Sequence, residues 1–259
     1  MALSQSGESI ETVSTVRLLK RKGNRLIGVT NNPNSTLAKI SDHVLLTHAG
    51  SEKTSSTKTF AATLAIIYCL TVALAARNKL IGERKKELLT DELLRVSRAI
   101  DARLADWNDE AKACSNKFAN CRAAMVLARG PNLAAALQGA LLMKEIAKIP
   151  AEGMSSGEFA HGPVETLSRG ISVVVLGGGR TSRLQHKLAL RSKALHSSVL
   201  MISPSTVRKL DSIVHGETDE NLAVFSCAAI LELLAYQIAL REKVNPDKFR
   251  FIHKITTRE

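Results

Sequence analysis

Aromatic residues are scarce: Phe, Tyr and Trp together make up 3% of the 259 residues. With so few rings to stack on bases, the net charge of +12 does not by itself describe a nucleic-acid surface. The basic residues are also spread along helical stretches beside acids, as in GERKKELLTDELLR from Gly82 to Arg95, which reads as a solvated helix face. The denser KRKGNR, Lys20 to Arg25, falls where a surface helix should turn into a strand. Such a field draws small anions as readily as polynucleotides. Cysteine is sparse too. Cys69, Cys114, Cys121 and Cys227 lack the paired close spacing of a zinc site or a secreted disulfide framework, so free thiols in a reducing cytoplasm are expected. Long apolar runs are nearly absent. Phe60 to Ala76 is the longest, interrupted by Thr63, Tyr68 and Thr71. It sits at the lower limit of the roughly 17 to 20 residues a membrane span needs, and it reads as a buried helix packed between other elements.

What is present is a hydrophobic content of 45%, which excludes a disordered chain, and a length that suits one large or two modest domains. Short β-branched runs alternate with longer amphipathic ones. RLIGVTNNP and HVLLTHA read as strands, followed by a helix from about Lys58 to Leu80 and a charged helical stretch from Gly82 to Lys117 with no strand signal. The rhythm then resumes: AAMVLARGPN, a helix over Leu133 to Ile146, GISVVVLGGG, a helix through Leu184 to Leu195, SVLMISPS, NLAVFSC, and a last helix over Ala228 to Lys243. Strands alternating with helices predict parallel sheets covered on both faces. The interruption predicts two α/β units of similar plan, 1–84 and 118–259, joined by a helical connector at 85–117. Ligands of such sheets bind at the carboxyl ends of the strands, where the loop at Ser4 to Ser9, TNNP and ARGPN should all lie.

Two polar clusters carry chemistry. The first is SQSGES, Ser4 to Ser9, immediately before a run with Ile10, Val13, Val16, Leu18 and Leu19 at helical spacing. Hydroxyls and a glycine beside a helix start can cradle a phosphate or carboxylate, although Ser and Glu are also what any helix start prefers. The second is LLMKEIAKIPAEGMSSGEFAHGPVETL. Glu145 ends an otherwise apolar helix stopped by Pro150, and a Gly/Ser-rich loop then presents Glu158 and His161. A carboxylate and an imidazole brought close together form a general acid/base pair suited to proton transfer near neutral pH.

Taken together and in this order, SQSGES, SSTKTF, KEIAKIPAEGMSSGEFAHGP and the terminal KITTRE resemble the sugar isomerase (SIS) family, in particular its members that isomerise amino-sugar phosphates. The resemblance covers almost the whole chain. It implies an α/β fold of two flavodoxin-like subdomains, each a parallel sheet flanked by helices, with a phosphosugar site between them and a homodimer that shares its active sites. Residue by residue, it implies a phosphate loop formed by Ser4, Gln5, Ser6 and Ser9, with Ser in a last position often held by Thr. Ser56 and Thr57 form a second loop facing the sugar phosphate, in a stretch after Glu52 that looks one residue short. Glu145 is implied as the base that moves a proton between the first two sugar carbons. His161 would open the ring, reaching the neighbouring subunit's site, and Lys254 would handle the open-chain sugar. The implied substrate is an (amino)hexose 6-phosphate, with no metal or organic cofactor, in the cytoplasm and off the membrane. The competing expectation is a regulatory module that binds phosphosugars without turning them over.

Departures from the family pattern accompany it. A lysine one turn before the catalytic glutamate is replaced by Leu142, and no glutamine-hydrolysing half is present in these residues. Only Met1, Ala2 and Leu3 precede SQSGES, whereas a strand typically needs about 5 or 6 residues. The expectation is therefore a first subdomain truncated at its N-terminus, without a strand ahead of the loop.

Overall fold

The computed structural model describes residues 1–251. The chain divides into a first unit containing Met1–Glu92 and a second, Leu93–Lys248.

In the first unit three strands, β1 (Ala2–Leu3), β2 (Ile27–Thr30) and β3 (His43–Leu46), run parallel in the order β1-β2-β3. Ala2 and Leu3 do form a strand, which corrects the sequence-based expectation. Two residues suffice because Gly28 and Val29 of β2 supply a preformed ladder, Ala2 opposite Gly28 and Leu3 opposite Val29. Helix α1 (Ile10–Arg21) turns Val13 and Val16 inward. Val16 closes a small core with Leu26 and with Leu37 of the short helix α2 (Thr36–Ile40). Lys20 and Arg21 occupy the last turn of α1, where cations oppose the negative end of the helix dipole.

Helix α3 (Lys58–Arg77) is helical as its pattern predicts, but it is not the buried helix expected. Only Thr59 and Val72 are fully buried. Three strands, the outermost two residues long, provide too little surface to cover both sides of an apolar helix of 20 residues. Helix α4 (Glu83–Ser115) is continuous over 33 residues and spans the division between the units.

The second unit holds a five-stranded all-parallel sheet made of β4 (Ala123–Ala128), β5 (Ala151–Ser155), β6 (Ile171–Leu176), β7 (Ser198–Ser203) and β8 (Asp211–Val214). The strand order β5-β4-β6-β7-β8 is the flavodoxin-like arrangement, with its switch point where the chain leaves β4 and β6 in opposite directions. Every residue of β6 is buried, as expected of a central strand covered on both faces. Helices α5 (Asn132–Glu145), α6 (Ser156–Phe159), α7 (Ser182–Ala194) and α8 (Ala223–Arg241) complete the unit. The buried Trp107 of α4 ties this helix to the sheet, its indole N–H donating to the Val214 carbonyl at 3.0 Å.

NLAVFSC, placed above among the strands, leads through Leu222 into the start of α8, which begins at Ala223. No Gly or Pro separates it from ILELLAYQIAL, so the apolar run continues at helical spacing instead of stopping at a turn. The fifth strand is DSIV, whose short half-polar pattern carries little signal. AEGMS became β5 although it reads as loop: it is an edge strand, and pairing with β4 compensates for its weak propensity. By length and composition α3 and α8 could each cross a membrane, and α8 is instead core, with 72% of its apolar window buried against 11% for α3.

Candidate active site

The Ser4–Ser9 loop is built from its own hydroxyls. Backbone bonds hold its start to β2: the Ser4 N–H donates to Val29 and the Asn31 N–H to Gln5, each at 3.0 Å. The Ser4 hydroxyl accepts the Gly7 N–H at 3.1 Å and pairs with the Ser9 hydroxyl at 3.1 Å, while the Ser6 hydroxyl accepts the Glu8 N–H at 3.1 Å. Gly7 has φ +69° and lies against Ser35, where a Cβ would fall 2.1 Å from the serine Oγ. Only glycine fits both the conformation and the space. Ser9 begins α1 without any side-chain bond to the helix, so the first-turn N–H groups and the dipole face outward beside three serine hydroxyls. That arrangement suits a phosphate.

Glu8 was not singled out by the sequence, yet it anchors the loop. Its carboxylate accepts the Thr36 N–H at 2.7 Å, and this backbone bond holds its pKa below the ordinary 4.5. The folded-state pKa is lowered, so the stabilisation is present above the ordinary carboxylate value and is lost as pH falls through the lowered one. Protection of the Thr36 amide from hydrogen exchange should accordingly fall on acidification below 4.5, and Glu8→Gln should flatten that dependence.

Asn31 draws the neighbouring loops together. Its amide oxygen accepts the Thr47 hydroxyl at 2.7 Å and the Ala49 N–H at 3.0 Å, and its amide nitrogen donates to the Gly50 carbonyl at 2.6 Å. Beyond Gly50, Glu52 caps α3: its carboxylate accepts the Thr57 N–H at 2.9 Å, the Thr59 N–H at 3.0 Å and the Thr59 hydroxyl at 2.5 Å. Ser56 and Thr57 stand at this helix start, and the Thr57 N–H is already engaged by a carboxylate. Glu52 lies five residues before Thr57, too far for the usual capping-box spacing, which is why the sequence does not announce it.

In the second unit Glu145 is the last residue of α5 and half-buried. Lys148, at φ +60°, donates from its ammonium to the Glu145 backbone carbonyl and to that of Lys248. Leu142 is fully buried in the core. His161 is exposed at the end of α6, its N–H bonded to the Glu158 carbonyl at 2.9 Å. The fold does not bring Glu145 and His161 together within one chain, which corrects the expectation of a local pair. Helix α5 runs back from the carboxyl edge of the sheet, so Glu145 lies at the amino edge before β5, and His161 follows β5 at the carboxyl edge. Five strand residues separate the two edges by about 16 Å. Lys254 lies outside the described residues. Among the described residues no group of three or more His, Cys, Asp or Glu is placed to hold a metal ion. A groove lined by Asn108, Lys112, Asn116, Gln237 and Arg241 contains none of the predicted site residues.

The model of the SIS domain matches residues 1–73 and 117–236. The chain belongs to the SIS domain family. It is 33% identical to the isomerising glutamine–fructose-6-phosphate aminotransferase of Thermococcus kodakarensis, covering all of this chain and 44% of that protein. The enzyme of the same name from Thermotoga maritima is 32% identical, with 100% and 44% covered. The chain thus spans less than half the length of these curated relatives. Among solved structures it matches the C-terminal domain of glucosamine-fructose-6-phosphate aminotransferase from Francisella tularensis, with a TM-score of 0.88, 24% identity, and 95% of this chain and 72% of that one covered. It also matches glucosamine-6-phosphate deaminase from Thermotoga maritima, with a TM-score of 0.74, 22% identity, and 98% and 72% covered. These two likenesses bear on the SIS fold.

Proposed function

We propose that this SIS-family chain isomerises an (amino)hexose 6-phosphate by acid/base proton transfer. The supporting observation is the Ser4–Ser9 loop: three hydroxyls and an uncapped helix start held open by a left-handed Gly7, in a chain similar to enzymes named for fructose 6-phosphate. The phosphate binds there, with Ser56 and Thr57 at the neighbouring turn. His161 assists opening of the sugar ring. Glu145 removes the proton from one of the first two carbons while the carbonyl oxygen takes up a proton, giving an enediol, and returns the proton to the other carbon as the second hydroxyl gives up its own. Lys254 steadies the carbonyl, or the iminium where the substrate carries an amine. Positioned acid/base groups are enough for this step, and no cofactor is invoked. The working compartment is the cytoplasm, with neither membrane nor nucleic acid as partner. Incubation with fructose 6-phosphate or glucosamine 6-phosphate, followed by NMR, tests the reading. Saturable binding without turnover would favour the regulatory module instead.

The opposite placement of Glu145 and His161 supports a homodimer in which each active site takes its histidine from the second copy, an isologous exchange that a two-fold axis provides. Mixing inactive Glu145→Gln and His161→Ala chains should then restore about a quarter of the parental rate, since half of randomly paired dimers are mixed and each carries one intact site. No recovery after verified subunit exchange would rule out the shared site.

A further inference from the structure

Glu145 lies at the amino edge of the second unit's sheet, which leaves the switch point at the opposite edge without a role. That edge is polar and incompletely paired. Asn132, the first residue of α5, is only 4% exposed, yet its amide oxygen has no hydrogen-bond partner. His215, just past β8, turns its ring to the backbone of Gly177 and Gly216 without a well-formed hydrogen bond to either, and the Thr218 hydroxyl that follows is unpaired. The segment from His215 to Leu222 lays Glu220 on the two loops of the switch point. A Cβ on Gly179 would fall 2.3 Å from the Glu220 carboxyl carbon, and one on Gly130 would fall 3.5 Å from its Oε1. Beside them Arg129 is held by a buried relay: its Nε donates to the Ser156 hydroxyl at 2.9 Å, which donates to Gln185 at 2.6 Å, which donates to the Leu176 carbonyl at 3.0 Å.

Buried polar groups are normally satisfied, so the unpaired Asn132 Oδ1, two residues past Gly130, and the unpaired Thr218 hydroxyl, two residues before Glu220, mark a place for a ligand that supplies the partners. Asn132 Oδ1 and the Glu220 carboxylate are acceptors. Burial lowers the His215 pKa, so its ring is neutral and offers one donor and one acceptor. The Asn132 and Glu220 acceptors take hydroxyl and ammonium donors. The carboxylate over Gly179 repels a phosphate from the loop that leads into α7. We propose that the carboxyl edge of the second unit, at the switch point between β4 and β6, is a second sugar site that binds an unphosphorylated amino sugar, its ammonium on Glu220 and its hydroxyls on Asn132, His215 and Thr218. Arg129, fixed by its relay, forms the wall on the β5 side.

The site requires no activity and stands apart from the isomerase reading. Glucosamine titrated into the full chain at millimolar concentration, followed by amide NMR, should shift resonances around Gly130, Gly179 and His215 saturably. Glu220→Gln should weaken that binding about tenfold by removing a charge-assisted bond, and Asn132→Ala should weaken it further. Glucosamine 6-phosphate should not compete at these resonances. Glu145→Gln should leave the titration unchanged, so a chain that never turns over can still pass this test. The proposal is overturned if glucosamine gives no saturable shift at this edge of the parent chain, if shifts appear only at the Ser4–Ser9 loop, or if a folded Glu220→Gln chain binds as the parent does. A crystal soaked in glucosamine that shows only ordered water bridging Asn132 and His215 would also overturn it.

Discussion

Replacing Glu145 by Gln is expected to lower kcat by about 10²- to 10⁴-fold, the usual loss when a general base is removed, with little change in phosphosugar affinity. The amide keeps the size and hydrogen-bonding reach of the carboxylate but cannot accept the sugar proton. The proposed phosphate contacts sit on other loops and should be untouched. Because Glu145 is half-buried at a helix end, with Lys148 fastened to its backbone carbonyl, the substitution should leave stability within about 0.5 kcal/mol of the parent. Steady-state kinetics with a parallel binding titration separate these effects: a fall in kcat at constant affinity marks a group that acts in the transition state. An unchanged rate in an active parent would remove Glu145 from the mechanism.

Gly7→Ala should have the largest effect on the first unit. The new methyl would meet the Ser35 Oγ at 2.1 Å, its Cβ at 2.4 Å and the Thr30 hydroxyl at 2.9 Å. Ser35 is fully buried and caps α2 through the Ala38 N–H at 3.2 Å, so it cannot swing away without uncapping that helix. The left-handed φ of +69° adds about 1 to 2 kcal/mol of strain for a residue with a Cβ. Together these costs predict a loss of about 2 to 4 kcal/mol in stability, and phosphate binding should disappear with the loop. Gly82→Ala, where nothing lies within 4 Å, is the matched control. Denaturant unfolding of both variants, with a fructose 6-phosphate titration, gives the comparison. A Gly7→Ala chain that binds as tightly as the parent would mean the loop does not hold the phosphate.

The parts of the fold legible in the sequence are those with an uninterrupted local signal. ISVVVL announced β6 because a central parallel strand is apolar on both faces, and the long run at Phe60 to Ala76 announced α3. The errors fall where tertiary context decides. AEGMS and DSIV are edge strands whose pairing comes from β4 and β7, and a two-residue strand at Ala2 forms only because β2 is there to receive it. NLAVFSC misled because the start of a buried helix is as apolar as a strand. At the proposed site, the hydroxyl and glycine composition of Ser4 to Ser9 was readable, although an ordinary helix start also prefers Ser and Glu. Glu8, Asn31 and Glu52 were not, because they act on backbone groups up to 28 residues away. The separation of Glu145 from His161 required the strand between them, which carried no signal.

Proton transfer between the first two sugar carbons is tested most directly in heavy water. Incubating the chain with fructose 6-phosphate in D₂O and following the C1 and C2 protons by NMR reads abstraction itself, whichever direction the net reaction favours. If Glu145 moves that proton, deuterium should enter the sugar at a rate that depends on enzyme concentration, and Glu145→Gln should slow it by about 10²-fold or more. Bound sugar phosphate that keeps all its carbon-bound protons, at every enzyme concentration, would contradict the assignment of this chain as an isomerase.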